Sequence, residues 1–471
     1  MIRRPLRSCG ATAALSVALL LSACSPGTGG AGGGTAGAAG VGDPLFPSLG
    51  NGGYDVGHYG IDLDYDVAGG TLDATTEITA TATQDLSSFT LDLEGLKVTG
   101  VQVDGADAAF SRKGHKLTVR PAGSLKKGVK FRTTVKYGGE PKAMKDADGS
   151  PEGWVRTPDG AFVTGEPAGS MTWFPGNNHP SDKATYDFSL TVPRGYTAVA
   201  NGELRARRAG KGRETFQWHS GEPMSSYLAT ASIGKFTVTE SRTADGLPLY
   251  VAVDPQEAEK SEKPLSRLEE ILKWSVKRFG RYPFSSAGAI VDHPPRVAEN
   301  YGALETQTKP VYAGAPDETV VVHETAHQWF GDSVTPKTWK DIWLNEGFAT
   351  YAEWLWEEDE GGRTAEEQFK ENYEKAEDDL VWKFPPGAPS SQKDVLEEPV
   401  YYRGAMVLQQ LRKAVGDKVF FKILKDWPSE HRYSTVSTRD FIAFCEARTD
   451  TDLKDLFADW LYGKGNPGWE Y

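Results

Sequence analysis

His323, Glu324 and His327 fall in the run VVHETAHQWFGD, and Glu346 follows in WLNEGFATY. The pattern is HExxH, eighteen further residues, then Glu. It constrains the fold more than any other feature of the chain. Two imidazoles four residues apart share one face of a helix, and a second helical segment must bring the carboxylate to them. His323, His327 and Glu346 then form the ligand set of one Zn2+ per chain, with Glu324 placed as general base. Three protein ligands leave the fourth position open, as in a catalytic rather than a structural zinc site. A solvated helix with two histidines would not account for the apolar frame of Trp329, Phe330, Trp343, Leu344 and Phe348.

The chain has 471 residues, enough for two or three domains, and a formal net charge of −13. Such an acidic chain is repelled by phosphates, so no nucleic-acid partner is expected. Its first residues read as a targeting segment: a basic MIRRPLR, then an apolar ATAALSVALLLSA too short to span a membrane. Leu21-Ser22-Ala23-Cys24 resembles a bacterial lipobox, which implies a lipid anchor at Cys24 and an extracytoplasmic, membrane-held or secreted protein. Arg3-Arg4 fits a twin-arginine signal poorly. Removing residues 1–24 takes Arg3, Arg4 and Arg7 with it and leaves the remainder near −16. Of Cys9, Cys24 and Cys445, only the last then stays a free thiol, and it sits in the apolar helical stretch FIAFCEA as expected core packing.

Residues 25–45 are rich in Gly and Ala and read as a flexible tether. Residues 46–252 read as an all-β domain. Tyr59, Ile61, Leu63, Tyr65 and Val67 alternate with small or acidic residues, and Tyr186, Phe188, Leu190 and Val192 alternate again before a Pro193–Gly195 turn. Residues 253–471 turn helical, with Leu265, Leu268, Leu272, Val276 and Phe279 at helical spacing, and later Ala405, Leu408, Leu411 and Val415. The acidic run Glu357–Glu360 reads as the exposed end of the Glu346 helix.

The run HETAHQWFGDSVTPKTWKDIWLNEGFATYAEWLW resembles the core of the aminopeptidase N family of gluzincin zinc peptidases. The resemblance implies an α+β multidomain fold: an N-terminal all-β saddle-like domain, then a mainly α, thermolysin-like catalytic domain. It also implies peptide substrates with a free N-terminus and a single zinc ion; no obligate protein partner is inferred. Three more positions carry over. The family's G-x-M-E-N segment is matched by Gly302-Ala303-Leu304-Glu305-Thr306, with Leu for Met and Thr for Asn, which makes Gly302, Ala303 and Glu305 substrate-binding residues and Glu305 an amine ligand. Tyr312 falls where the family has a downstream Tyr; Ala298-Glu299-Asn300 is a competing register. Glu166 stands eight residues before Phe174-Pro175-Gly176, where the family has F-P-C, and is implied as a second contact to the amine; His179 in the same loop is expected to be structural. In VYYRGAMVLQQLR, which resembles the family's V-Y-E-K-G segment, Tyr401 rather than Tyr402 is the implied oxyanion donor.

These residues imply removal of one N-terminal residue at a time through a zinc-activated water. The sequence ends at Tyr471, near where the family's catalytic domain finishes, so an open cleft is expected, with endopeptidase-like activity as an alternative. A catalytically retired surface binding protein and an epoxide-hydrolysing enzyme are further alternatives. The full set of His323, Glu324, His327, Glu346 and Tyr401 argues against the first, and the missing helical cover against the second.

Overall fold

The computed structural model describes residues 33–147, 149–298 and 301–468. Cys9, Cys24, the lipobox-like segment and Glu299 lie outside the described residues. The described residues form one compact unit. The β-then-α order expected from the pattern is the order observed: strands dominate up to Val253, and helices follow from Ala258.

The largest sheet has eight strands. At its centre Lys183–Pro193 runs parallel to Tyr54–Asp66, with Phe188 opposite Ile61, while Thr71–Ala82 and Arg213–Ser225 flank the pair antiparallel. Period-two alternation explains which face is buried: Tyr59, Ile61, Leu63 and Tyr65 point inward, as do Tyr186, Phe188, Leu190 and Val192. A bulge between Val56 and His58 shifts the phase, so Tyr54 and Val56 are also buried although they are out of step with the odd-numbered residues after them. Tyr59 and Tyr186 stack at 4.9 Å, and Trp173 and Phe174 pack onto this aromatic face. The Tyr59 hydroxyl accepts the Asn177 amide at 2.9 Å. The loop beyond Glu166 is thereby pinned to the sheet.

The segment expected as a tether over 25–45 is packed from residue 33 onward. Thr35–Ala36 pairs with the strand Leu86–Asp92, and Leu45 and Phe46 are buried. The Asp43 carboxylate accepts the amides of Leu45, Phe46 and Trp339 and contacts His179 at 3.1 Å. These contacts supply the enthalpy a free linker lacks, and they give His179 its partner in the fold. The change of domain expected at 252–253 falls inside a second, five-stranded sheet. There Thr237–Arg242 and Pro248–Val253 continue into Ala287–Asp292, Val311–Ala313 and Ala303–Leu304.

Among the described residues the α-helices are α1 (Ala258–Ser266), α2 (Leu268–Phe279), α3 (Glu318–His327), α4 (Trp343–Asp359), α5 (Ala365–Tyr373), α6 (Gly404–Val415), α7 (Asp417–Glu430), α8 (Thr438–Glu446) and α9 (Lys454–Phe457). Leu268, Leu272 and Phe279 are buried, but Val276 lies off their stripe and is exposed. Cys445 is a buried free thiol in α8. The acidic end of α4 is tied to arginines: Glu357 to Arg363, Glu358 to Arg412, Asp359 to Arg278 and Glu360 to Arg267.

Candidate active site

Helix α3 starts where the Asp317 side chain accepts the Val320 amide at 2.9 Å, a capping bond that satisfies one otherwise unpaired donor. Helix α4 is buried along most of its length because Trp343, Leu344, Phe348, Ala349 and Ala352 all face neighbours. The two helices pack together and bring three side chains to a point. The Nε2 atoms of His323 and His327 lie 3.3 and 3.4 Å from Glu346 Oε2. The His323 Nδ1 lies 2.5 Å from Glu353 Oε1, and the His327 Nδ1 lies 3.0 Å from the Phe330 carbonyl. Both partners only accept, so both Nδ1 atoms carry the proton. Each Nε2 lone pair is therefore free to meet a metal.

The donor set fits zinc. Two neutral imidazole nitrogens and one carboxylate oxygen lie within 4.8 Å of one another, on two rigid helices. Glu346 Oε2 lies against both Nε2 atoms, so the carboxylate supplies the third donor oxygen. Glu353, which the sequence reading missed, fixes the His323 ring. It lies seven residues after Glu346 on α4, on the same helical face and toward α3, and that spacing is the signal that could have found it.

Glu324 is buried, its Oε2 has no hydrogen-bond partner, and burial lifts its carboxyl to about 7. Glu305 follows the short strand Ala303–Leu304, which pairs with Val311–Ala313 so that Ala303 faces Tyr312. Gly302 precedes it with φ +82°, a conformation that favours glycine. Thr306, where the family has Asn, turns its hydroxyl to the Lys309 carbonyl at 2.5 Å. Glu166 arrives from the N-terminal part of the chain. Ser170 donates to the Ser226 carbonyl at 2.6 Å, and Thr172 accepts the Trp154 amide at 2.9 Å, which holds the turn after it.

Oxygens of Glu166, Glu305 and Glu346 lie within 4.8 Å of one another. One oxygen each of Glu166 and Glu305 is buried without a partner. Burial raises both carboxyls, and for Glu166 the nearby charges of Glu305, Glu346 and Glu324 add to the effect. Carboxylates this close and this dry are stable together only with a proton or a cation between them.

Tyr401 lies in a single π-helical turn, Pro399–Arg403, that leads into α6. Its ring faces that of His323 at 6.1 Å. Burial, then the charge of Glu346, pushes its phenol well above the ordinary range, so it stays a hydrogen-bond donor at neutral pH. Tyr402 is more exposed and instead lies under the Lys375 ammonium. The turn is set against α4 by two glycines: a Cβ built on Gly347 would lie 2.9 Å from the Gly404 backbone.

Comparison with known proteins places this geometry. The Peptidase family M1 domain matches residues 299–460, and the Peptidase M1 N-terminal domain matches residues 56–228. The M1 zinc metallopeptidase from Deinococcus radiodurans has a similar crystal structure, with TM-score 0.83 and 28% identity over 91% of this chain and 98% of that one. A mutant of that metallopeptidase bound to a Tyr-Ser-Ala substrate is similar at TM-score 0.83 and 27% identity, covering 91% of this chain and 99% of that one. Aminopeptidase M1 from Arabidopsis thaliana is 28% identical over 72% of this chain, and the glutamyl aminopeptidase of Mus musculus 26% over 64%. The chain spans 39% and 34% of the length of these two relatives. With matches of one family to both its β-rich and its helical parts, and the same fold in a solved M1 structure, this chain belongs to peptidase family M1.

Proposed function

We propose that the protein is a zinc aminopeptidase that removes N-terminal residues from peptides. The observation that carries this reading is the placing of two buried carboxylates, Glu166 and Glu305, beside Glu346 with unpartnered oxygens. A peptide's α-ammonium is the cation that such a pair accepts. Held there, its first carbonyl would be directed toward the metal ligands.

His323, His327 and Glu346 would hold the zinc, which when bound supplies Lewis acidity toward water and the scissile carbonyl. Glu324, with its free oxygen and raised carboxyl, accepts the proton of the attacking water and returns it to the departing amine. Tyr401 donates a hydrogen bond to the oxygen that becomes anionic in the transition state. Glu353 keeps the His323 ring in one orientation throughout.

Glu305→Gln and Glu166→Gln test the ammonium pocket. Each removes one charge-assisted contact, so kcat/KM for an aminoacyl amide is expected to fall about 10- to 150-fold, mostly through KM. Unchanged KM in both variants would sink this assignment. The segment Leu21-Ser22-Ala23-Cys24 supports an extracytoplasmic protein tethered by a lipid at Cys24. Fatty-acid labelling of the expressed protein should then be lost in Cys24→Ala, and a wild-type protein that takes up no label would count against the anchor.

A further inference from the structure

A second carboxylate cluster lies apart from the HExxH site. Asp159, Asp254 and Asp292 each place one oxygen within 4.8 Å of the other two. Asp254 and Asp292 are buried, and Asp159 is partly exposed. The fold puts them together for identifiable reasons. Pro248–Val253 and Ala287–Asp292 are parallel neighbours, with Val253 opposite Val291, so the next residue of each strand is an aspartate at the same level. The Asp254 amide donates to the Val291 carbonyl at 2.8 Å, which carries this register past the strand end.

Asp159 comes from another sheet, in the four-residue turn Thr157–Gly160, closed by the Thr157 amide on the Gly160 carbonyl at 3.0 Å. Gly160 lets this turn seat tightly, since a Cβ there would fall 1.7 Å from the Ile233 carbonyl oxygen. The next residue, Ala161, pairs with Ile233.

The hydrogen bonds around the cluster leave oxygens to spare. Asp254 uses Oδ1 for the Gln256 amide at 2.7 Å, and Asp159 uses Oδ2 for the Lys235 amide at 2.9 Å, so each keeps a second oxygen. Both oxygens of Asp292 are buried without a hydrogen-bond partner; the His293 amide is close enough to lower this carboxyl slightly but forms no well-made bond to it. Burial and then the charges of Asp159 and Asp254 disfavour an ionised Asp292. A buried, unpartnered carboxyl facing two others is stable only with a proton or a compensating cation beside it. All the donors are hard oxygens, no imidazole or thiol is among them, and the exposed side of Asp159 admits water to complete a coordination shell. That is the chemistry of calcium rather than zinc.

We propose that Asp159, Asp254 and Asp292 form a calcium site that clamps the turn at Thr157–Gly160 to the ends of two strands of the other sheet. Asp292 also begins the segment that leads through Gly302 to Glu305, so the ion would anchor the base of that segment. The site is independent of the zinc reading and does not need it.

The test uses the zinc-loaded full chain, freed of other cations on a chelating resin and checked for retained zinc. Titration with CaCl2 should bind one calcium per chain by equilibrium dialysis and raise Tm by about 3 °C or more at saturation. MgCl2 at the same concentrations should do much less. Asp292→Asn should abolish both the binding and the Tm response, while its calcium-free Tm stays at or above that of wild type, because a repelled charge is gone. Should that variant fail to fold, Asp159→Asn, on the partly exposed turn, should weaken calcium binding at least about tenfold with the fold intact. A wild-type protein that neither binds calcium nor shifts its Tm overturns the proposal. So does a folded Asp292→Asn, or a folded Asp159→Asn, that binds calcium as wild type does.

Discussion

Gly347→Ala is the substitution that most directly probes how the fold aims the site. The added Cβ would lie 2.9 Å from the Cα and the carbonyl carbon of Gly404, both backbone atoms that no rotamer can move aside. That is about 0.6 Å inside the ~3.5 Å at which carbon–carbon contact becomes favourable, so α4 and α6 must separate by roughly that amount. Two effects oppose each other in stability. Alanine is the better helix former by about 1 kcal/mol, whereas overpacking of this kind costs about 1–3 kcal/mol. The net loss is then about 0–2 kcal/mol, and Tm should fall by no more than about 4 °C.

Activity has no such compensation. Glu346 precedes Gly347 on α4, and Tyr401 sits in the turn that leads to Gly404, so a shift between them changes the distance from the ligand set to the phenol. A displacement of this size is expected to lower kcat/KM about 10- to 100-fold with zinc content unchanged. Gly404→Ala, whose Cβ would meet the Gly347 Cα at 3.0 Å, should act in the same direction. The double variant should lose less than the sum, because one methyl already opens the gap for the other. The assay is hydrolysis of an aminoacyl fluorogenic amide beside a thermal melt and zinc analysis. Wild-type kcat/KM in both single variants would show that this glycine contact does not set the geometry of the site.

Glu324→Gln should retain zinc and lower kcat about 10²- to 10⁴-fold, measured at saturating substrate; substantial residual turnover would remove Glu324 as the base. Glu353→Ala should lower zinc affinity about 10- to 100-fold, read by competition with a chromophoric chelator, because the His323 ring loses the carboxylate that orients it. Stability should also depend on pH through Asp182, which burial pushes up to about 8. A carboxyl raised on folding is stabilising in its protonated form, so its contribution is present below about pH 4 and is lost progressively as pH rises toward 8. Melts of Asp182→Asn should therefore fall less between pH 5 and 8.5 than those of wild type; parallel curves would contradict the assignment.

The parts of this fold legible in the sequence are those with a short repeat. Strand alternation marks Tyr59 to Tyr65 and Tyr186 to Val192 because the buried face of a sheet has period two, and the HExxH spacing marks α3 because imidazoles four apart share a face. The bulge at Gly57 hides Tyr54 and Val56 from the same pattern. The packed start of the chain was obscured by its composition: glycines and alanines dominate residues 33–42, and the side chains that anchor this stretch, Asp43, Leu45 and Phe46, come only at its end. Glu166 and Glu305 lie far apart in the sequence, with no local period to link them, so only family resemblance suggested that they act together. The three aspartates of the second cluster are likewise joined by strand register and one turn, not by any spacing along the chain.

The proposed function turns on selection of a free α-amine by the buried carboxylates for zinc-dependent hydrolysis. Its most direct test is a panel of aminoacyl fluorogenic amides and peptides set against their N-acetylated counterparts, with and without a zinc chelator. Chelator-sensitive cleavage is expected, with kcat/KM for free amines at least about 10²-fold above that for acetylated partners. Equal cleavage of the acetylated set, or no cleavage of either set by zinc-loaded protein, would contradict it.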